Sequence, residues 1–352
     1  MNRETITLSL GANSYDIVLE PGCLEQAGTL LNLNRKVLIV TDSGVPASYA
    51  DTVAAGSLAA EVVRIPQGEA SKNFDHFRML LSRMLAFGMG RGDCVVAVGG
   101  GVVGDMAGFA AACFMRGIDF YNIPTTVLSQ VDSSIGGKTA IDLDGIKNVV
   151  GAFYQPRRVL IDPVTLSTLP RRQIANGLAE AVKMALCFDR EAFARFEVLD
   201  FEAELSRLAS GQPSPALIRI ISDALRMKKD VVEKDEKEQG LRRVLNFGHT
   251  LGHGIESVNV KNGILHGECV ALGMLPMCSA SVCARLLPVL EKLGLPVSCA
   301  TDPDQVMQAV THDKKQYAGK IRSIFVDSVG TFAEKDLTPE ELRLLYTNYF
   351  FA

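Results

Sequence analysis

The sequence lacks any long block of charge of one sign. Among 352 residues, 36 lysines and arginines nearly balance 40 acidic residues, which gives a formal net charge of −4. A protein that binds nucleic acid or an anionic membrane through bulk charge needs a basic excess, so we expect neither partner. With 47% hydrophobic and 22% charged residues, the chain can bury a sizeable core, and intrinsic disorder is excluded.

Export signals are also missing. The first twenty residues alternate polar and apolar side chains, with no apolar signal core and no A-x-A site. The eight cysteines form no C-x-x-C pair, and most sit in apolar stretches. That usage is typical of reduced thiols in a cytosolic protein, so we expect a cytoplasmic location.

One apolar run, residues 94–115, is long enough to span a bilayer and carries a single charge, Asp105. It also contains five glycines and begins with β-branched residues. These features favour a buried strand, a glycine turn and a buried helix in a soluble chain.

The first half of the chain reads as an α/β domain. Residues 5–10 and 15–19 alternate around a Gly-Ala-Asn turn and predict a hairpin. Five further short β-branched runs predict strands, and helical patterns at about 45–57, 71–87 and 102–115 separate several of them. The runs are Lys36–Thr41, Glu61–Ile65, Cys94–Val98, Asp119–Ile123 and Val159–Ile161. Strands that alternate with helices imply a Rossmann-like, mostly parallel sheet.

The second half has a different hydrophobic pattern, which predicts many helices and almost no strands. Helical patterns cover 170–198, 213–238, 246–257, 266–286 and 338–349, and only Ile321–Val326 reads as a strand. The length favours two domains. We place the boundary before Pro170, because the residue before a proline is pushed out of helical geometry. The prediction is an α/β domain over 1–169 and an all-helical domain over 170–352.

A glycine cluster follows the predicted strand at 94–98. Gly99, Gly101 and Gly104 satisfy G-x-G-x-x-G between a strand and a helix, the pattern of a dinucleotide-binding turn. A tight turn that needs positive φ would alone explain two of these glycines. The cluster follows a later strand rather than the first, which predicts a variant topology.

A second glycine cluster lies at 136–137 and is followed by Lys138 and Thr139. The Walker pattern fails, because its first glycine would fall at Val131 or Asp132. What remains is a backbone turn with a lysine and hydroxyls, which suits a phosphate or carboxylate.

Three of the five histidines fall within eighteen residues. His249 and His253 share one helical face, and His266 opens another apolar helix. Imidazoles from two packed helices can bind a metal, although capping or core roles explain any one of them. The sequence does not choose a carboxylate partner among Glu180, Glu256 and Glu268.

Charged residues surround the histidines along the chain. The stretch 228–238 reads most simply as a solvated helix face, and Arg242 and Asn246 follow it. Glu180 and Lys183 lie at i, i+3 on one predicted helix. Basic residues that converge on a metal would favour a multiply anionic small substrate.

Taken together, these motifs resemble the 3-dehydroquinate synthases. The resemblance covers essentially the whole chain, and its segments keep the family's order. The matching segments are 99–117, 123–141, 147–156, 168–183, 241–256 and 265–274.

The resemblance implies an NAD- and zinc-dependent carbon–oxygen lyase of the shikimate pathway, with cobalt as an alternative metal. The reaction would convert 3-deoxy-D-arabino-heptulosonate 7-phosphate to 3-dehydroquinate and phosphate. Transient oxidation by NAD, phosphate elimination, re-reduction and intramolecular aldol closure would follow one another. The implied metal ligands are Glu180, His249 and His266.

The resemblance also implies two sets of binding residues and a homodimer, in which Arg116 reaches a neighbouring subunit's phosphate site. The NAD contacts would be Asp42, Glu69, Lys72, Gly101, Val102, Val103, Gly104, Asp105, Thr125, Thr126, Lys138, Lys147, Thr165, Leu166, Ser167 and Thr168. The substrate contacts would be Asp132, Lys138, Asn148, Lys183, Lys228, Arg242, Asn246, His253, Lys314 and Lys315.

Two other enzyme classes use the same plan. A related cyclase would act on another sugar phosphate, but the basic residues Lys228, Arg242, Lys314 and Lys315 suit a carboxylated substrate. A metal-dependent polyol or alcohol dehydrogenase would release NADH. A binding module without catalysis would not need metal and lysine groups gathered together.

Overall fold

The computed structural model describes residues 3–313 and 319–351. The chain forms two compact units, Met1–Leu169 with Ser206–Ile218 as unit 1, and Pro170–Leu205 with Arg219–Ala352 as unit 2. The sequence analysis placed all of 170–352 in the second domain. Residues 206–218 instead group with unit 1, so this chain segment returns to the α/β unit before the second unit continues.

Unit 1 is built on a seven-stranded sheet in the order β1-β2-β9-β6-β5-β3-β4. The strands of this sheet are β1 (Glu4–Leu8), β2 (Tyr15–Leu19), β3 (Lys36–Asp42), β4 (Ala59–Ile65), β5 (Cys94–Gly99), β6 (Asp119–Pro124) and β9 (Arg158–Ile161). The helices are α1 (Ala27–Leu30), α2 (Ala47–Ala55), α3 (Phe74–Ala86) and α4 (Gly101–Cys113). Only β1 and β2 pair antiparallel in this sheet, which confirms the predicted hairpin and the mostly parallel sheet.

The central strand β5 shows why its sequence is uniformly apolar. Val95 and Ala97 pack into the core that includes Leu80 of α3 and Met106 of α4. Val96 points to the opposite core, which contains residues of α1 and α2. Successive side chains of a strand alternate between faces, so a sheet covered on both sides needs apolar residues at every position.

The long apolar run at 94–115 is therefore β5, a glycine turn and α4, as predicted. Among the described residues, no helix has the length and apolar character needed to cross a membrane.

Asp119 ties together the amino ends of several strands in unit 1. Arg35, just before β3, donates to one of its oxygens at 2.7 Å, and Arg157 donates to the other at 2.7 Å. Burial opposes ionisation of Asp119, but these two arginines hold its pKa below the usual range.

A second, two-stranded sheet in unit 1 was missed by the sequence analysis. Strands β7 (Lys138–Leu143) and β8 (Ile146–Phe153) form an antiparallel hairpin that packs against α4. Most of β8 is exposed, so its side chains do not alternate between a core and solvent. That pattern carries no strand signal.

Unit 2 is mainly helical. In chain order the helices that follow α4 are α5 (Arg171–Phe188), α6 (Arg190–Val198), α7 (Phe201–Ala209), α8 (Pro215–Lys234), α9 (His249–Asn259), α10 (His266–Met274), α11 (Ala280–Leu293), α12 (Pro303–Asp313) and α13 (Pro339–Phe350). Of these, α7 and α8 each contribute residues to both units. The predicted helix over 170–198 is interrupted at Asp189, whose side chain caps α6 by accepting from the Glu191 and Ala192 N–H groups.

The prediction of an all-helical second domain is wrong in one respect. Strands β10 (Ile321–Phe325) and β11 (Ala333–Leu337) form a small antiparallel sheet in unit 2. The sequence analysis found β10 only, because β11 reads Ala-Glu-Lys-Asp-Leu and lacks a hydrophobic period.

Candidate functional site

Three helices of unit 2 approach each other closely because glycines lie at their contacts. A Cβ on Gly267 of α10 would lie 1.9 Å from the carbonyl oxygen of Asn176 in α5. A Cβ on Gly273 of α10 would lie 2.0 Å from the carbonyl oxygen of Gly248, the N-cap residue directly before α9. No larger residue fits these contacts without moving a backbone, so the glycines set the spacing of α5, α9 and α10.

This spacing brings three predicted metal ligands together in what we call the Glu–His cluster: Glu180, His249 and His266. Oε1 of Glu180 lies 3.5 Å from Nε2 of His249 and 3.4 Å from Nε2 of His266. Glu180 comes from the middle of α5, whereas each histidine is the first residue of its helix. One ligand atom from each residue can therefore reach a common point.

The outer nitrogen of each imidazole in the cluster is already engaged. Nδ1 of His249 is 3.1 Å from the carbonyl oxygen of Phe247, and Nδ1 of His266 is 3.0 Å from a carboxylate oxygen of Glu256. When Nδ1 donates to these oxygens, the Nε2 lone pair of each neutral ring is available to a cation that binds beside Glu180. Metal-binding histidines are typically held in this way.

Charge around the cluster favours an ionised carboxylate. Burial opposes ionisation of Glu180, but Lys183, His249 and His266 hold its pKa well below the usual range. Burial and the Lys183 charge lower the pKa of His249. Burial also opposes protonation of His266, yet Glu180 and Glu256 raise its pKa to about 10. The ionised Glu180 carboxylate supplies the negative charge that a bound cation needs, and a metal ion bound here would take the place of the His266 proton.

The donor set fits a divalent metal. Both oxygens of Glu180 are buried: Oε2 contacts the Lys183 ammonium group, and Oε1 faces the Nε2 atoms of the two histidines. Two imidazoles and one carboxylate form a ligand set found in catalytic zinc sites, which keep a position open for substrate. His253, Glu256 and His266 form a second possible group, but there Glu256 would have to release Nδ1 of His266.

The structure gives different contacts to the three carboxylates that the sequence offered as partners of the histidines. Glu180 joins the cluster and Glu256 orients His266. Glu268 binds Arg172 at 2.6 and 2.7 Å and accepts from the Leu265 N–H group, so it holds the start of α10 instead. Glu256 was predicted only as one of three possible metal ligands, and its contact with His266 was not predicted because a histidine partner ten residues away has no spacing signature.

Two predicted substrate residues of unit 2, Lys183 and His253, lie beside this cluster. Lys183 donates to the carbonyl oxygen of Leu245 at 2.6 Å, and the ring of His253 is centred 5.1 Å from that of His249. Lys228 and Arg242 are 4% and 2% exposed. The solvated-face interpretation is thus wrong for Lys228.

Asn246, another predicted substrate residue, contacts an acidic residue that was not predicted to belong to the site. Its amide donates to Oε1 of Glu238 at 2.8 Å, and Glu238 has a left-handed backbone with φ of 58°. The charged stretch 228–238 hid this acid among solvated neighbours. Lys314 and Lys315 lie outside the described residues.

In unit 1, the predicted NAD residues meet at the carboxyl ends of the parallel strands. In the sheet, β3 lies between β4 and β5. The chain goes from β3 to β4 on one side and then to β5 and β6 on the other, so the direction in which strands are added reverses between β3 and β5. Ligands of open α/β sheets bind at such a reversal. Asp42 ends β3, the glycine turn follows β5, and Thr125 follows β6 with its N–H group 2.9 Å from the Gly99 carbonyl oxygen.

The glycine turn is built for close approach. No glycine from 99 to 104 has a positive φ, so a turn requiring that conformation does not explain them. A Cβ on Gly99 would lie 2.7 Å from a methyl group of Val103, and one on Gly101 would lie 3.1 Å from Oγ of Ser133. The missing side chains leave room for backbone, neighbouring side chains and a ligand at the start of α4.

Buried polar atoms around this turn support the same interpretation. Oγ1 of Thr41 on β3 and Oδ1 of Asn122 on β6 are buried and have no hydrogen-bond partner among the described residues. These two strands flank β5. Unused polar atoms on both sides of a glycine turn fit a polar cofactor such as a dinucleotide.

Lys72 links two predicted groups of unit 1. Its ammonium group donates to Asp105 at 2.6 Å and to the side-chain oxygen of Asn148. Burial opposes protonation of Lys72, but Asp105 and Glu69 raise its pKa above the usual value. Lys72 therefore contacts two other predicted NAD residues, Glu69 and Asp105, and the predicted substrate residue Asn148.

The other predicted NAD residues differ in their exposure and in their hydrogen bonds. Val103 and Leu166 are fully buried. The hydroxyls of Thr165, Ser167 and Thr168 each donate to a carbonyl oxygen three residues earlier in a 3-10 helix. Four further predicted residues are partly or fully exposed: Val102, Thr126, Lys138 and Lys147.

Two predicted residues of unit 1 lie in irregular backbone. Asp132 is partly buried in the helical turn Ser129–Ser133, close to the second glycine pair. Arg116 is exposed and has a φ of 69°, directly after α4.

Comparison with known proteins gives one consistent family. A family model described as 3-dehydroquinate synthase N-terminal matches residues 62–176, and one described as 3-dehydroquinate synthase C-terminal matches residues 177–316. The 3-dehydroquinate synthase of Pelobacter propionicus is 40% identical, over 97% of this chain and 98% of that protein.

Solved structures with the same fold are more distant in sequence. A 2-deoxy-scyllo-inosose synthase complexed with carbaglucose-6-phosphate, NAD⁺ and Co²⁺ has a TM-score of 0.84 and 26% identity, and the match covers 99% of this chain and 100% of that one. The 2-epi-5-epi-valiolone synthase ValA of Streptomyces hygroscopicus, with NAD⁺ and Zn²⁺ bound, has a TM-score of 0.84 and 28% identity, with 95% and 96% covered.

Proposed function

Since the chain belongs to the 3-dehydroquinate synthase family, we propose that it converts 3-deoxy-D-arabino-heptulosonate 7-phosphate to 3-dehydroquinate and inorganic phosphate. This is a carbon–oxygen lyase reaction of the shikimate pathway, which leads to aromatic amino acids. The observation that carries the proposal is the Glu–His cluster, with the buried Lys183 in contact with Glu180.

The proposed cofactors are NAD in unit 1 and Zn²⁺, or Co²⁺, in unit 2. The glycine turn, Asp42 and the Lys72 group would hold NAD, and Glu180, His249 and His266 would hold the metal. When bound, the metal would polarise a substrate hydroxyl, and NAD would reversibly accept a hydride from the carbon that carries this hydroxyl.

The chain's own residues would bind and orient a substrate that carries a carboxylate and a phosphate. Lys183, Lys228 and Arg242 supply fixed positive charge, because burial and carbonyl contacts restrict their motion. Charge-assisted hydrogen bonds from such groups select one conformer of a flexible sugar phosphate. His253 is partly exposed beside the cluster and offers a ring nitrogen that can carry a proton during elimination.

Phosphate release provides the test. Purified protein would be incubated with the heptulosonate phosphate, Zn²⁺ and less NAD than substrate, and the phosphate would be measured. We expect release by the wild type and loss of at least about a hundredfold in His266→Ala, because that change removes a ligand of the metal. No release by the wild type, or undiminished release by the variant, contradicts the proposal.

The same assay distinguishes the two alternative enzymes. A cyclase for another sugar phosphate would release phosphate from a substrate without a carboxylate, and Arg242→Ala would then cost little. A polyol or alcohol dehydrogenase would accumulate NADH in proportion to product, whereas the synthase reduces and reoxidises its NAD in each turnover. Absence of net NADH with continued phosphate release therefore supports the synthase.

The proposal includes a homodimer. Support comes from β8 and the turn after α4, where Ile146, Val149, Phe153 and Met115 expose apolar side chains, and the exposed Arg116 follows Met115 in that turn. Several large apolar side chains exposed on an edge strand are typical of a protein interface. Sedimentation should give a dimer for the wild type and a smaller species for Val149→Asp, and a monomeric wild type contradicts it.

A reducing compartment such as the cytoplasm is part of the same proposal. All eight cysteines are free thiols, five of them buried. The fold therefore contains no disulfide, as is typical of proteins in a reducing compartment.

A further inference from the structure

Two cysteines flank the first turn of α11 in unit 2. Ser279 caps this helix by accepting a hydrogen bond from the Val282 N–H group. Cys278 directly precedes the cap, and Cys283 is the fourth residue of the helix. These two positions face each other in helices that begin with a hydrophobic staple, where two apolar side chains normally touch. Here the staple consists of two thiols.

The two cysteines are held close together, because the Cys278 N–H group and the Cys283 thiol both donate to the carbonyl oxygen of Leu275. A side-chain hydrogen bond joins Cys278 and Cys283, and a second joins Cys283 to the Tyr349 hydroxyl of α13. The Cys283 thiol also donates to the carbonyl oxygen of Leu275 at 3.3 Å. Cys283 is 8% exposed and Cys278 is partly exposed, so a small molecule can reach the pair.

The contact makes the two thiols chemically unequal. The hydrogen bond with Cys278 lowers the pKa of Cys283 to about 7, although burial opposes ionisation. The same hydrogen bond, together with burial, raises the pKa of Cys278 well above its usual value. One member of the pair is thus a nucleophile at neutral pH and the other holds the proton.

We propose that Cys278 and Cys283 form a redox-sensitive modification site, at which hydrogen peroxide produces a reversible disulfide across the first turn of α11. The Cys283 thiolate attacks one peroxide oxygen, the O–O bond breaks, and a sulfenic acid forms while the hydroxide takes up a proton to leave as water. The Cys278 sulfur then attacks the sulfenic sulfur. The S–O bond breaks, an S–S bond forms, and the Cys278 proton leaves with the second water. Two thiols are oxidised and one peroxide is reduced to two waters.

The surrounding structure accepts this bond. The staple geometry already places the two side chains against each other, and the Ser279 cap does not depend on either thiol. Loss of the Cys283 S–H group leaves the Leu275 carbonyl oxygen with a hydrogen-bond donor, because the Cys278 N–H group also donates to it at 3.3 Å. Oxidation therefore leaves no buried acceptor at this oxygen without a donor.

The test uses the full chain loaded with Zn²⁺ and NAD. The protein is treated with stoichiometric peroxide, denatured, alkylated and cleaved with trypsin, which places Cys269, Cys278 and Cys283 on the single peptide 262–285. We expect Cys278 and Cys283 to resist alkylation and to regain it after dithiothreitol, while the buried Cys269 is alkylated throughout as an internal control. Full alkylation of Cys278 and Cys283, or protection of Cys278 with Cys187 instead, overturns the proposal.

Two variants strengthen the test. Cys283→Ser should abolish peroxide-dependent protection of Cys278, whereas Cys278→Ser should leave a sulfenic acid on Cys283 that dimedone traps. The matched control is Cys113→Ser, which removes the exposed cysteine of unit 1 and should leave the protection unchanged. In the untreated wild type, the alkylation rate of Cys283 should rise with a midpoint near pH 7, and a midpoint at an ordinary thiol pKa counts against the assignment.

Discussion

Removing the Glu256 carboxylate should weaken metal binding without removing any metal ligand. Glu256 contacts Nδ1 of His266 at 3.0 Å, and this contact directs Nε2 of the same ring toward Glu180. The carboxylate side chain is only 14% exposed, so water screens its charge incompletely. It therefore both orients the imidazole and makes it a stronger electron donor to a cation.

The magnitude follows from what each substitution retains. Glu256→Gln keeps an oxygen that can accept from Nδ1 but loses the charge, so we expect Zn²⁺ to bind about tenfold more weakly, or about 1.4 kcal/mol. Glu256→Ala also frees the ring to rotate, and we expect a loss of about a hundredfold, or about 2.7 kcal/mol.

The assay is competition for Zn²⁺ against a fluorescent chelator at constant pH and salt. The matched control is Glu268→Gln, which lies two residues from His266 but binds Arg172 and not a histidine. Its metal affinity should stay within about twofold of the wild type, with a lower free energy of unfolding. If both Glu256 variants match the wild type in Zn²⁺ affinity, Glu256 does not position His266 and the reasoning fails.

Three further outcomes are expected. Gly267→Ala should lower the free energy of unfolding by about 3 kcal/mol or more in a urea titration, because its Cβ would lie 1.9 Å from the Asn176 carbonyl oxygen, whereas Gly92→Ala meets no atom within 4 Å and should change it by less than about 1 kcal/mol. Although burial raises the pKa of Asp119, two arginines hold it below the usual range, so its carboxylate stabilises the folded state at neutral pH and this contribution is lost as the pH falls through the depressed pKa; urea titrations at decreasing pH should show a shallower decline for Asp119→Asn, and an unchanged slope contradicts the assignment. Chelation of the metal should abolish phosphate release, and added Zn²⁺ should restore it, whereas release that survives complete metal removal contradicts a metal-dependent reaction.

The sequence predicted those parts of the fold whose residues face a core. Strand β5 and helix α4 were recognised because a buried strand and a buried helix leave apolar runs of different length and composition. The exposed strand β8 and the polar strand β11 lack that signal, since each forms through pairing with a neighbour. Ser279 and Asp189 cap new helices inside longer helical patterns, and periodicity alone did not reveal those breaks.

The candidate site shows a similar division. Spacing indicated that His249 and His253 share a helix face, and the scarcity of histidine indicated a cluster. Spacing did not indicate which carboxylate meets them, because Glu180 arrives from a helix more than sixty residues earlier in the chain. It also did not explain the glycines from 99 to 104, whose φ values and neighbours are properties of the folded chain.

Product formation with limiting NAD tests the central claim most directly. Protein loaded with Zn²⁺ would receive the heptulosonate phosphate in large excess over NAD, and 3-dehydroquinate, phosphate and NADH would be followed together. The proposed function predicts equal amounts of 3-dehydroquinate and phosphate, many turnovers for each NAD, and no net NADH. NADH that accumulates in step with product, or no 3-dehydroquinate at all, would contradict it.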